Sequence, residues 1–348
     1  MPTTERLRAQ LCDSTEVGNI ASEIHRSAAY RLRIGEKDVN IETFLEHLYE
    51  IKLLIWLAQR SNLPILLPAF TADSRVIAAA DDKLTDIESR VFDLVRKTCA
   101  DCSAVEADKL WSKILQSAAK RQSTVPIFTL NYDWTFERLS IQFPKKYDLV
   151  DGFELLGGMW DPARFAAAPV AGKVNIRLFK LHGSTNWVGE GPIKSLATFD
   201  QAQSDEGGDG PGFVMIPPGH AHEISLGNEY WQQASRDGSP PAWLESDPFK
   251  TLHEEFETAS RQARLIVVIG YAFHDESINR CIEAALATNK LTKVFVVDPG
   301  TRYERPPFEW LKFARYEIDW SRFYYYQDYF DPTTVGEVAR AINKLLDS

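Results

Sequence analysis

Leu265-Ile-Val-Val-Ile269, followed at once by Gly270 and five residues later by Asp275, decides the fold. Five consecutive apolar residues, mostly β-branched, suit a central parallel strand covered on both faces rather than a half-exposed one. Gly270 supplies the turn that leaves such a strand. Asp275 is placed to cap a helix reaching about residue 288. Val294-Phe-Val-Val297 repeats the pattern and ends at Asp298-Pro-Gly300. Working back towards the N-terminus, Val125-Pro-Ile-Phe-Thr-Leu130 is a short strand ending at Asn131-Tyr-Asp133, with a helix over 134–141 behind it. Val174 to Leu181 alternates with period two and meets His182-Gly183. Repeated strand–turn–helix units predict an α/β fold with a Rossmann-like doubly wound parallel sheet, in which 125–130, 174–181, 265–269 and 294–297 are neighbours.

The rest of the chain is arranged around this core. Residues 5–34 read as one or two helices. Asn40 caps a further one, with Phe44, Leu45, Leu48, Ile51, Leu54, Ile55 and Leu57 at helical spacing. Pro64 and Pro68 break it, and helices follow over about 84–103 and 105–121. Residues 36–122 therefore read as a helical insert, within one domain of 1–348 whose α/β nucleotide-binding core spans 125–348. Gln201 to Pro211 reads as a flexible loop, Phe213–Ile216 as a short strand, 254–262 as a helix, and about 334–346 as the final helix.

Composition narrows the function classes. The 348 residues carry a net charge of −10, and the basic residues are scattered, so a phosphate-backbone binder with a concentrated basic face is not expected. No apolar run is long enough to span a membrane, and the polar N-terminus is no secretory signal, so a cytoplasmic protein is expected. Cys99 and Cys102 form a lone C-x-x-C with no second pair, which argues for residues of an amphipathic helix rather than a zinc site; no metal is expected.

Four polar groups follow strands: Thr129-Leu-Asn131-Tyr-Asp133, His182-Gly183-Ser184, Gly270-Tyr271 and Asp298. In an open α/β sheet the carboxyl ends of the strands line the ligand crevice, so these distant residues can converge. Each also has a plainer role: Asp133 as a helix cap, Asn131 in its turn, His182 as a bonded core histidine, Gly270 as a tight turn.

Taken together, Thr129-Leu-Asn131-Tyr-Asp133, Lys180-Leu-His182-Gly183-Ser184-x-Asn186-Trp187 and Ile269-Gly270-Tyr271-Ala-Phe-x-Asp275-x-x-Ile278-Asn279 resemble the bacterial sirtuin-like domains of the silent information regulator family. The resemblance implies an NAD-binding fold that cleaves the nicotinamide–ribose bond. Asn131 would orient the attacking water and His182 would act on the ribose hydroxyls. Thr129, Asp133, Gly183, Gly270, Tyr271 and Asp298 would line the cofactor site. It also implies NAD depletion in anti-phage defence, with a homo-oligomer or a partner defence subunit. Two features depart from the family. No cysteine lies between His182 and Gly270, where deacylases carry a four-cysteine zinc ribbon, which favours plain hydrolysis over deacylation. The family's first strand and glycine-rich phosphate loop are not recognisable, Met1-Pro2-Thr3-Thr4 resembling the residues just after them. A degenerate, non-catalytic nucleotide- or partner-binding module is the alternative this raises.

Overall fold

The computed structural model describes residues 16–32, 82–91, 103–153, 158–188, 247–271, 275–299 and 319–347. It also describes Phe44, His47, Leu48, Ile51, Leu94, Val95, Cys99, Lys194, Ser195, 213–215 and Phe273. The loop read at 201–211, the break at Pro64 to Pro68, most of the helix beginning at Asn40, and Cys12 and Cys102 lie outside the described residues. The chain forms two compact units, Met1–Asp101 with Met215–Ser246, and Cys102–Val214 with Asp247–Ser348.

The described residues of the first unit are helical apart from Met215, the last residue of a short strand. Helix α1 (Glu16–Leu32) buries Ala21, Ile24 and Ala28, one stripe at helical spacing. Leu84, Ile87, Val91, Leu94 and Val95 continue that logic in helical residues further along.

The second unit holds the sheets. Helix α2 (Ala104–Ala119) starts at Ser103, whose hydroxyl accepts from the Glu106 amide. This helix lies in the unit that carries the strands. After it come β1 (Val125–Thr129), α3 (Thr135–Gln142), β2 (Tyr147–Val150), β3 (Val174–Lys180) and β4 (Gly183–Val188). β5 (Lys194–Ser195) pairs antiparallel with β4, and β6 spans Phe213–Met215. The chain resumes with α4 (Phe249–Gln262), β7 (Leu265–Ile269), α5 (Glu276–Thr288), β8 (Lys293–Val297), β9 (Phe323–Tyr326) and α6 (Val335–Asp347).

The α/β class and the parallel pairing are as the sequence predicts. The neighbour list differs. Among the described residues the strands form two three-stranded parallel sheets, in the orders β1-β3-β2 and β7-β8-β9, rather than one run of four neighbours. Strand pairing is a tertiary choice, and the short β2 and β9, Tyr147-Asp-Leu-Val and Phe323-Tyr-Tyr-Tyr, carry too little pattern to be read as partners in advance. β3 also departs from a half-exposed alternation. It is the middle strand and is buried at all seven positions. Its polar residues are satisfied locally: Asn175 accepts from the Val170 amide at 2.6 Å, and Arg177 donates to the Ala167 carbonyl at 2.5 Å.

One helical layer covers both sheets. α2 packs on β1 and β3, and α6 packs on β7 and β8. The two helices are joined by Ser117 donating to Asn343 at 2.6 Å and by an Arg121–Asp347 ion pair at 2.7 Å. Ile114 of α2 reaches the core cluster of Phe295, Val297, Val338 and Ile342. Against the sheet's other face, Phe128 stacks on Phe179 and meets Phe256 of α4 edge-on. Helices on both faces make the arrangement doubly wound.

Candidate functional site

β1 and β3 are parallel neighbours in the register Thr129↔Lys180, and the Leu181 amide extends the ladder to the Thr129 carbonyl at 3.0 Å. Asn131 and His182 each lie two residues beyond that last pair. Both therefore follow the carboxyl ends of adjacent parallel strands. The turn after β1 is pinned rather than loose. The Thr129 hydroxyl accepts from the Asn131 amide at 3.0 Å. The Tyr132 carbonyl accepts from the Thr185 amide and from the Ser184 and Thr185 hydroxyls, and the Trp134 indole N–H donates to Thr185 at 2.9 Å. Asn131 itself is exposed.

His182 is 3% exposed, and its Nε2 lies 2.8 Å from Oδ2 of Asp275. The other oxygen of Asp275 caps α5, accepting from the amides of Ser277 and Ile278 at 2.9 and 3.1 Å. Burial alone would push this carboxyl upward. The hydrogen bond to His182, with the bonds from Ser277 and Ile278, outweighs burial and holds it well below the usual carboxylate range, so Asp275 is ionised. The turn carrying Asp275 is braced. The Tyr271 hydroxyl accepts from the Asp275 amide and lies 3.0 Å from both the Asp275 carbonyl and Asn279 Oδ1. Phe273 is buried with φ of 59°, a left-handed conformation, and its carbonyl accepts from Asn279 at 2.9 Å.

Beneath these residues Lys180 is fully buried. Its ammonium donates to the Asp133 carbonyl and to Ser184 Oγ, and pairs with Glu137 at 2.8 Å. Burial pushes the Glu137 carboxyl up and Lys180 pulls it back down. Asp133 accepts from the Thr135 amide at 2.9 Å, the helix-start role its position suggests. Gly183 and Gly270 both have positive φ, 80° and 64°. At Gly270 an added Cβ would meet nothing within 4 Å among the described residues, so the backbone conformation is what calls for glycine there. Asp298 leaves β8 with its amide donating to Tyr326 at 3.1 Å.

Thr129, Asn131, Asp133, His182 and Gly183 thus gather at the ends of β1 and β3. Gly270, Tyr271 and Asp298 follow β7 and β8, and the His182–Asp275 bond links the two groups. Sequence reading identifies the cap at Asp275 but misses it as a partner of His182. The two residues are 93 positions apart and no local pattern connects them. Lys180 and Ser184 stand within the motif around His182 but are given no role by it, and Glu137 is missed; a lysine at the end of the apolar stretch Leu178-Phe-Lys-Leu181 is the available signal. Among the described residues, no three His, Cys, Asp or Glu side chains gather in a metal-binding group, and no helix is long and apolar enough to cross a membrane.

A family model described as a SIR2-like domain matches residues 125–320, which contain all of these site residues. None of the curated proteins compared with the chain matches it.

Proposed function

The chain belongs to the SIR2-like family, and from that premise we propose that it is an NAD+ hydrolase, cleaving the nicotinamide–ribose bond to give nicotinamide and ADP-ribose. The observation that carries this reading is the pairing of an exposed amide, Asn131, with a buried imidazole, His182, at equivalent positions past adjacent parallel strands. Breaking the N-glycosidic bond builds positive charge on the ribose, and nicotinamide leaves as a neutral molecule. Asn131 is neutral, so it can hold water near that cation without forming an ion pair. Its oxygen accepts a hydrogen bond from the water and directs the lone pair at the ribose carbon. His182 holds a ribose hydroxyl and takes its proton as charge develops. Water adds to the ribose carbon, and one proton is released for each NAD+ consumed. The left-handed turn at Gly270 and the strand-end position of Asp298 suit the remainder of a dinucleotide. Positioning of water and ribose is the main source of rate in such a site. The biological setting that goes with this chemistry, through the family resemblance, is depletion of NAD during phage infection.

The test is nicotinamide release from NAD+ by the full chain and by Asn131→Ala and His182→Ala. Each substitution should lower kcat by at least about 100-fold, the scale of a lost acid–base or positioning group, while thermal melting stays close to the parent. Unchanged turnover in either variant would refute the assignment. Saturable NAD+ stabilisation without nicotinamide release from the parent chain would point instead to a non-catalytic nucleotide-binding module.

A further inference from the structure

We infer that Asp275 is a positioning residue that fixes the tautomer of His182, holding the proton on Nε2 so that the lone pair of the neutral ring lies on Nδ1. This rests on the proposed role of His182 in the same site. Three observations support it. First, the oxygens of Asp275 divide two tasks. Oδ1 accepts from the Ser277 amide, the Ser277 hydroxyl and the Ile278 amide, which completes a helix cap. Oδ2 is not needed for capping and lies 2.8 Å from His182 Nε2. Serine, threonine or asparagine would cap equally well, but only a carboxylate offers a second oxygen that accepts and never donates. Second, both side chains are buried, at 3% and 5% exposure, so water does not compete for either group. Third, the turn holding Asp275 contains a strained residue. Phe273 sits in the left-handed region, which a non-glycine residue adopts only when its surroundings hold it there. The strain is held by Asn279 on the Phe273 carbonyl and by Tyr271 on the Asp275 amide. An ordinary strand-to-helix turn needs none of these bonds; here they set the height and angle of one carboxylate.

A carboxylate facing Nε2 selects the tautomer with hydrogen on Nε2, because the alternative would oppose two lone pairs. An anion at that distance also stabilises the imidazolium that forms when His182 takes a proton. Asp275 touches neither water nor ribose; it acts through the ring.

Asp275→Asn tests this. The amide oxygen can keep the cap, leaving the amide N–H₂ to face Nε2, which drives the ring proton to Nδ1. The first measurement is the ¹⁵N spectrum of histidine-labelled protein at pH 8, with the His182 signals identified by their loss in His182→Gln. The parent should show a protonated Nε2 and a pyridine-like Nδ1, and Asp275→Asn should reverse them. The second is nicotinamide release. Asp275→Asn should lower kcat by roughly 100-fold or more, the scale seen when a histidine's carboxylate partner becomes an amide, with KM within about threefold and Asp275→Ser no better. Any other ring pattern in the parent, or a pattern unchanged by Asp275→Asn, overturns the inference. So does full turnover in Asp275→Asn when His182→Ala is inactive. If His182→Ala turns over normally, the hydrolase reading fails instead, and the ring spectrum still decides what Asp275 does.

Discussion

Lys180 places a cation with 1% exposure at the end of a central strand. Its ammonium is met by Glu137, by Ser184 Oγ and by the Asp133 carbonyl, so the charge that would repel an apolar core instead ties the turn after β1 to β3. Removing one partner strands the other. Glu137→Leu should cost about 3–5 kcal/mol in urea unfolding. Lys180→Met with Glu137→Leu should cost clearly less than the sum of the single changes, because the second change removes an already stranded group. Strict additivity would mean the pair is not coupled. The pH dependence has a definite sign. Glu137 titrates above its ordinary value in the fold, so its contribution is fully present below about pH 4 and declines as pH rises through the folded value. Glu137→Gln should remove that slope. Asp275 is the opposite case. Its folded value is depressed, so it stabilises above about pH 4 and loses that contribution as acid protonates it.

At the scale of elements, turns rather than strands set where the polar residues emerge. Gly152, two residues past β2, shows how tight one of these is. Its φ is 85°, and an added Cβ would lie 2.2 Å from the Trp160 ring. The Gly152 carbonyl accepts from the Asp161 amide at 2.8 Å, and Phe153 bridges to Trp160. Gly172 precedes β3 with φ of 78°, and a Cβ added there would have nothing within 4 Å. The two glycines therefore separate conformational from steric cost. Gly172→Ala should lose about 1–2 kcal/mol, the left-handed penalty alone. Gly152→Ala should lose that plus a further ~1–3 kcal/mol of overlap with the indole. Paired denaturant melts of the two variants measure the difference, and equal losses would show that the Trp160 ring moves aside freely.

At the scale of the whole second unit, two parallel sheets share one helical layer, and their strand ends meet at the His182–Asp275 bond. α6 is central to that layer. Its Ile342 is 4% exposed in the cluster with Phe295, Val297 and Val338, against which Ile114 of α2 also packs. Ile342→Ala should destabilise the unit by about 2–5 kcal/mol. Because Ile342 itself packs on the helix-covered face of the sheet and is not among the polar residues that follow the strands, NAD+ turnover below the melting range should be unchanged. A large loss of activity with little loss of stability would mean that the layer also sets the geometry of the site.

Sequence alone determined the elements whose pattern is local. Val294–Val297 declares a buried parallel strand by its unbroken apolar run, and Asp275 declares the start of α5 by the chemistry of helix ends. Leu265–Ile269 is a parallel strand too, but not the central, doubly covered one its apolar run predicts: among the described residues it is the edge strand of β7-β8-β9, and only Val268 is buried. The resemblance of three ordered motifs named the SIR2-like family, and the family match agrees. Tertiary structure decided the rest. Whether β1 neighbours β3 or β7 depends on which faces pack, and nothing in a five-residue strand encodes its partner. β3 reads as alternating, yet it is buried on both faces because it is the middle strand, so Asn175, Arg177 and Lys180 needed partners that no spacing reveals. Most of all, only the fold could set Asp275 against His182. A helix cap is a local property of four residues, whereas a hydrogen bond across 93 positions exists only once both sheets are packed.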